Sequence, residues 1–271
     1  MSDNKIILYD VPCKTGNVCW SPNVWKSKFS MLFYWYSKTR TETYCDNLAR
    51  IVLNYKNIPY ETEWVDFPDI KPLLQSYGVH PKIAEALGAV LDIQYTLPTI
   101  RLPNQTFVMD SATIAARVED IYPEPSLHLE LHLHEKVQAI LPKIARPLLP
   151  ELMPKIRDNL VTEHGTKHWV GARENLFGMS IDEFCRTRGG EQAWVAAKPG
   201  LDELKQFVRS YKNDNGPFVL GSEVSYADFV IAALLISVKG AGQDVLDNVI
   251  GGDEGLMALW DACQPWLKRD I

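Results

Sequence analysis

A proline stands inside a run that otherwise reads as a β-strand: residues Thr96 to Leu102 alternate β-formers around Leu97-Pro98. Proline has no N–H to give to a sheet ladder, so this strand must lie at an edge or begin near the proline. A cis Leu97-Pro98 bond would turn the Leu97 backbone N–H and C=O outward, where they could pair with an extended ligand. Pro103-Asn104 makes a turn, and Thr106 to Met109 returns as the second arm of a hairpin. Asp110 and Ser111 then occupy the N-cap and first turn of a helix with apolar Ile114, Val118 and Ile121 at helical spacing. Ser111 and free N–H groups at that helix start would face whatever lies beyond the strand ends, an arrangement suited to a carboxylate. Residues 95–122 therefore call for a small sheet with two binding devices side by side.

The preceding chain can complete such a sheet. Lys5 to Val11 reads as a buried strand. After it comes CKTGNVCWSPNVWK, in which Gly16 and Asn17 make a loop and Ser21-Pro22 is an N-cap followed by a proline at the first helical position. A serine hydroxyl beside exposed helix-end amides favours the anionic form of a bound thiol, so Ser21 is the first candidate for a catalytic donor and Asn23 the second. Cys19 could be reactive near the same helix end, but it lies two positions before the Ser-Pro pair, whereas families that form mixed disulfides carry cysteine directly before the proline, which argues against a covalent role. Tyr60 to Phe67 reads as a second strand, and Asp69 as the cap of a short helix running to Tyr77 and ended by Gly78. Residues 79–94 form a longer connection. The order β-α-β-α-β-β-α is complete by Tyr122, and Pro123 and Pro125 mark a domain boundary, giving 1–124 and 125–271.

The second half is helical throughout. Leu133 to Leu160 has helical spacing but carries Pro142, Pro147, Pro150 and Pro154, which predicts one kinked helix or several short ones. Glu191 to Tyr211 is a cleaner amphipathic helix. In GPFVLGSEVSYADFVIAALLI, Ser225 caps a long apolar helix, Asp228 can return a bond to the cap, and Val224 and Phe229 can form a staple around it. His128, His132 and His134 have no accompanying cysteine and read as linker histidines, with no metal site. Trp169, Phe177 and Phe184 fit a core as well as an acceptor pocket.

A net charge of −6, a pI near 5.6 and the absence of any basic cluster longer than Lys38 to Arg40 argue against nucleic acid or an anionic membrane as partner. Five cysteines at irregular spacing, with no hydrophobic leader after Met1 and no apolar run of spanning length, suit the cytoplasm.

Strand with Leu97-Pro98, turn, strand, Asp110-Ser111 and helix, in that order, resembles the second half of the thioredoxin-like domain of glutathione transferases. Trp20-Ser21-Pro22-Asn23, Trp25-Lys26, Asn57-Ile58-Pro59-Tyr60-Glu61, Glu63-Trp64-Val65 and Pro68-Asp69-Ile70 extend the resemblance over most of residues 5–125. Together they resemble the fungal etherase-like (FuA) class, related to bacterial lignin β-etherases. The resemblance implies an α+β fold, with an N-terminal thioredoxin-like domain followed by an all-α domain. It implies glutathione as cosubstrate, with Leu97 and Pro98 presenting backbone to its cysteinyl part, Asp110 and Ser111 holding its γ-glutamyl end, and Ser21 supporting its thiolate. It also implies a hydrophobic or aromatic electrophile or aryl ether as second substrate, and a homodimer. A non-catalytic carrier of apolar aromatic compounds on the same fold is the alternative.

One stretch has no place in that pattern. Residues 28–49, KFSMLFYWYSKTRTETYCDNLA, interrupt the first helix and read either as part of a long first helix or an atypical insertion that packs on a partner, or as a retained in-frame intron. Ser27-Lys28-Phe29 can be encoded with a GTAAGT donor signal and Leu48-Ala49 with a terminal TAG. Sequencing the transcript distinguishes the two: codons without those signals, or mature message that keeps the segment, exclude the intron.

Overall fold

The structure, a computed structural model, describes residues 5–14, 47–81 and 95–267. A four-stranded sheet in the order β2-β1-β3-β4 forms the first layer. Strand β1 is Ile6–Asp10, β2 Tyr60–Trp64, β3 Thr99–Arg101 and β4 Phe107–Met109. β1 and β2 run parallel, while β3 pairs antiparallel with both β1 and β4. Every strand is shorter than its β-forming run. Phe67, expected at the end of β2, turns instead into a single 3₁₀ turn over Phe67–Asp69, whose N–H is taken by the Asp66 side chain.

Two-residue alternation in β1 decides which helix covers which face. Ile6 and Leu8 share a core with helix α1 (Asn47–Tyr55) and helix α3 (Ser111–Ile121), whereas Ile7 and Tyr9 face helix α2 (Ile70–Ser76) through Ile70 and Leu74. In α1, Leu48, Ala49, Ile51, Val52 and Leu53 are all buried, so the last two residues of the atypical stretch belong to the packed helix. The rest of that stretch before Asn47 lies outside the described residues. Asp69 stands at the start of α2 without capping it; its carboxylate lies 3.0 Å from His164 Nε2 instead. Gly78, at φ +68, ends the helix as expected. Ile121 does not join Ile114 and Val118 in the core but is exposed at the last position of α3.

Seven further helices follow among the described residues: α4 (Leu133–Asn159), α5 (Glu163–Phe177), α6 (Ile181–Arg188), α7 (Glu191–Ser210), α8 (Tyr226–Ala241), α9 (Gln243–Ile250) and α10 (Glu254–Leu267). α4 is one continuous helix despite its four prolines. It packs so closely on α7 that a Cβ at Gly200 would lie 2.8 Å from the Lys143 backbone, which is why the α7 interior carries a glycine there. α8 is the buried axle of this half, touching α4, α9, α10 and α1. No helix of the described residues is long and apolar enough to cross a membrane.

A buried lysine ties the two halves together. Lys56 Nζ, at the end of α1, donates to the carbonyls of Tyr122 and Pro125 at 2.7 Å each and pairs with Glu119 Oε2 at 2.5 Å. Glu119 Oε1 in turn accepts from Leu127 N and Ser126 Oγ, so one ion pair holds the whole connecting segment. Removing one member of a buried pair leaves polar groups without partners. Because Glu119 keeps its other two donors, Lys56→Met should cost about 2 kcal/mol, read as a lowered urea midpoint with an unchanged slope.

Candidate active site

Strand register gathers the binding devices at one edge of the sheet. Tyr9 pairs with Thr99 across β1 and β3, so Leu97-Pro98, just before β3, lies level with the end of β1, where the chain leaves toward Ser21. Thr99 pairs with Met109 across β3 and β4, which carries Asp110 and Ser111 to the same edge. The peptide bond between Leu97 and Pro98 is cis. Leu97 and Pro98 are buried, and the turn before them is braced by the Thr99 hydroxyl, which donates to Thr96 O at 2.7 Å. Asp110 N reaches Pro98 O at 3.2 Å, a direct backbone link between the two devices.

Asp110 is unusual in its backbone. Its φ of +84 and ψ of 129 lie where a residue with a Cβ is strained, and its Oδ1 accepts from Ala112 N at 3.0 Å and Thr113 N at 3.3 Å. The helix-start amides are thus less available than the sequence suggested, since Asp110 takes two of them itself. Ser111 is buried beside it at the first helical position. Sequence patterning locates both residues but gives no sign of the positive φ, which is imposed by the tight step from β4 into α3.

Behind this edge stands a buried polar network that the sequence did not reveal. Asp10, fully buried at the end of β1, accepts from Val11 N at 2.9 Å and from Arg50 Nη2 of α1 at 3.0 Å. Arg50 also reaches Thr62 Oγ1 and the Tyr60 hydroxyl on β2, and the Tyr60 hydroxyl donates to Asn54, whose amide donates to Trp266 O at 2.6 Å. The end of β1 is thereby fixed to α10. Tyr9, one residue earlier, points to the opposite face among Tyr77 and Phe107. Burial, and next the Glu63 carboxylate, push its phenol pKa up, which makes it a poor source of help for an ionising thiol. Ser21, Asn23 and Cys19 lie outside the described residues.

On the opposite side, Asp66, two residues beyond β2, accepts from the Thr162 hydroxyl at the start of α5. Lys14 N donates to Leu160 O at 2.9 Å, and Lys14 Nζ to Asp158 O at 3.2 Å. The chain leaving β1 therefore starts along the α4–α5 corner. His128 lies 3.3 Å from Glu130 and His132 3.0 Å from Glu135, while His134 packs edge-on against Tyr226; burial lowers the His134 pKa. Trp169 is core, and Phe177 stacks on Phe184 with ring centroids 4.1 Å apart.

Comparison with known proteins agrees with this architecture. Residues 44–126 match the glutathione S-transferase N-terminal domain, and residues 134–266 match the glutathione S-transferase C-terminal domain. This chain belongs to the glutathione S-transferase family. The enzyme is thus a glutathione transferase, with glutathione as cosubstrate. The transferase is 28% identical over 236 residues to the glutathione S-transferase-like protein ustS of Aspergillus flavus, covering 81% of this chain and 82% of that one. It superposes on glutathione transferase GSTFuA2 from Phanerochaete chrysosporium with a TM-score of 0.76 at 25% identity, over 98% of this chain and 99% of that one. A glutathione S-transferase of Ceriporiopsis subvermispora, solved in complex with glutathione, gives a TM-score of 0.76 at 25% identity over 99% of both chains. The transferase thus has fungal FuA-class enzymes among its structural neighbours.

Proposed function

We propose that this transferase binds glutathione along the edge formed by Leu97-Pro98 and Asp110-Ser111 and transfers it to hydrophobic or aromatic electrophiles, aryl ethers among them. The observation that carries this reading is the convergence, through the registers of β1, β3 and β4, of the β1 exit, the cis proline and the acidic-serine pair. In this reading residues 1–124 hold glutathione and residues 125–271 complete the pocket for the second substrate. The relative solved with glutathione supports the first substrate.

The chemistry follows from charge. The γ-glutamyl end of glutathione carries an ammonium, which suits the Asp110 carboxylate, and a carboxylate, which suits Ser111 at the start of α3. The cysteinyl backbone lies antiparallel to Leu97. Ser21 donates a hydrogen bond to sulfur and Asn23 gives a second donor, so the thiol proton leaves to solvent at neutral pH. The thiolate forms a C–S bond to the electrophilic carbon as halide or aryloxide departs with the bonding electrons. A cytoplasmic homodimer is the setting we propose for it; Cys185 and Cys263 are free thiols.

Ultraviolet titration of the thiol in the glutathione complex tests the reading. A bound thiol pKa well below that of free glutathione supports it, while tight binding of apolar aromatics with no ionised thiol would favour the carrier alternative. Asp110 is tested separately. Asp110→Ala should weaken glutathione about tenfold, a loss of about 1.4 kcal/mol in binding, and also cost about 1 kcal/mol in stability through the lost cap. Asp110→Asn should keep the cap and lose the affinity. Equal glutathione Kd values for all three proteins by calorimetry would place the γ-glutamyl end elsewhere.

A further inference from the structure

One face of α5 is buried at Gly165, Trp169 and Arg173, residues four apart and hence one above another on the helix. Its beginning is fixed beyond β2, where the Thr162 hydroxyl donates to Asp66. A Cβ at Gly165 would lie 2.4 Å from Asp66 Oδ1, so a larger residue there would push the Asp66 carboxylate aside. Arg173 follows about two turns, roughly 12 Å, further along the same face.

Arg173 is the exceptional member of this stripe. It is 6% exposed, and its guanidinium carbon lies 3.7 Å from the centre of the Trp169 ring. Nη1 donates to Trp169 O at 2.8 Å, Nε has no partner, and among the described residues no carboxylate pairs with it. Guanidinium has five donors in one plane and does not give up its proton in proteins. A ring contact covers its flat face but supplies no negative charge. Burying a cation without a counter-charge is strongly unfavourable, so this side chain is suited to an anion brought in from outside the chain.

We propose that Arg173 is an anion-binding residue of the acceptor site and that it takes the carboxylate of an aromatic acid. The in-plane edge of guanidinium matches a carboxylate through two parallel hydrogen bonds, a geometry that the stacked ring leaves open. Trp169 lies one turn before it, under the guanidinium, and Phe177, stacked on Phe184, one turn after, so Arg173 sits among aromatic side chains of the kind an aryl acid would meet. This rests on the reading of the chain as a transferase of aromatic electrophiles and narrows that class to those bearing an acid group.

The test uses the full chain with 4-nitrobenzoate, its neutral counterpart nitrobenzene, and inorganic phosphate at matched ionic strength, each titrated by calorimetry beside glutathione. Wild-type protein should bind 4-nitrobenzoate at least tenfold more tightly than nitrobenzene. Arg173→Gln should remove that difference while leaving nitrobenzene and glutathione affinities within twofold, and Arg173→Lys should restore part of it. Should Arg173→Gln not fold, the wild-type melting temperature serves: a rise with 4-nitrobenzoate that neither phosphate nor nitrobenzene gives supports the site. Equal binding of the acid and its neutral counterpart, equal stabilisation by phosphate, or a parallel loss of all ligands in Arg173→Gln overturns it. Glutathione Kd is read separately, so failure of the transferase reading shows as lost glutathione binding in wild type.

Discussion

Ser21→Ala should lower the rate of conjugation about 100-fold while leaving glutathione affinity nearly unchanged. The serine is proposed to donate to sulfur once it carries charge, so its loss acts on the ionised form and the transition state and little on the neutral complex. In titration the bound thiol of the variant should ionise at higher pH than in wild type. Activity should therefore recover in part as pH rises, because a larger fraction of the bound thiol then ionises without the donor. Asn23→Ala should show the same pattern with a smaller amplitude. An unchanged thiol pKa in Ser21→Ala would assign thiolate support to another group. Glutathione affinity should instead respond to Asp110, which touches the other end of the tripeptide.

Asp228→Ala should cost about 3 kcal/mol of stability at neutral pH without touching the site. Asp228 is fully buried at the first turn of α8, where it accepts from Val219 N at 2.7 Å and from Ser225 N and Oγ at 2.8 Å each. Alanine would leave three buried donors without an acceptor, each worth roughly 2 kcal/mol. Part of that is offset because the carboxylate is itself costly to bury: its pKa is raised to about 6 by burial, against the pull of the bonds from Val219 and Ser225. Set against an unfolded value near 3.9, a shift of about two units corresponds to roughly 3 kcal/mol. The sign follows directly. The folded pKa lies above the unfolded one, so this group's stabilisation is fully present below about pH 4 and is lost as pH rises through about 6. Asp158, held below the usual carboxylate range by the hydrogen bond from Arg157, has the opposite slope. The comparison is therefore between wild type and Asp228→Asn in urea melts at pH 4 and pH 7: the variant should lose the wild-type drop. Equal slopes would mean that Asp228 does not titrate in that window.

Local patterning carried much of the fold. Pro98 in a β-run, Asp110-Ser111 before an apolar helix, Gly78 after another and the Ser225–Asp228 pair each follow from what a single residue can or cannot do with its own backbone, and each stands where it was placed. Such signals act over a few residues and need no knowledge of the partner elements. Strand lengths were overestimated because β-forming composition continues past the point where the neighbouring strand stops offering hydrogen bonds: β3 has three residues because β1 and β4 pair with only three. Asp69 stands at the N-cap position that its place in the sequence predicts, but its side chain makes no cap bond, for a related reason. An acidic residue before a helix is a good cap in isolation, but Asp66 already supplied the local bond, and His164 from α5 drew Asp69 outward.

What only the tertiary structure decided involves charge buried far along the chain from its partner. Asp10 and Arg50 are forty residues apart, and Asn54 and Trp266 more than two hundred, so no spacing rule could join them. Nothing near Lys56 in the sequence marks it as buried, and only the connecting segment makes it so. Arg173 carries no signal of its own in the sequence, and only the packing of α5 makes it a buried cation stacked on Trp169. The sequence by itself determined the order of elements and the turn chemistry at the sheet edge, since those depend on backbone preferences of single residues. The structure alone determined which charges lie in the dry interior, since desolvation depends on everything that packs around a group and on nothing in its immediate sequence.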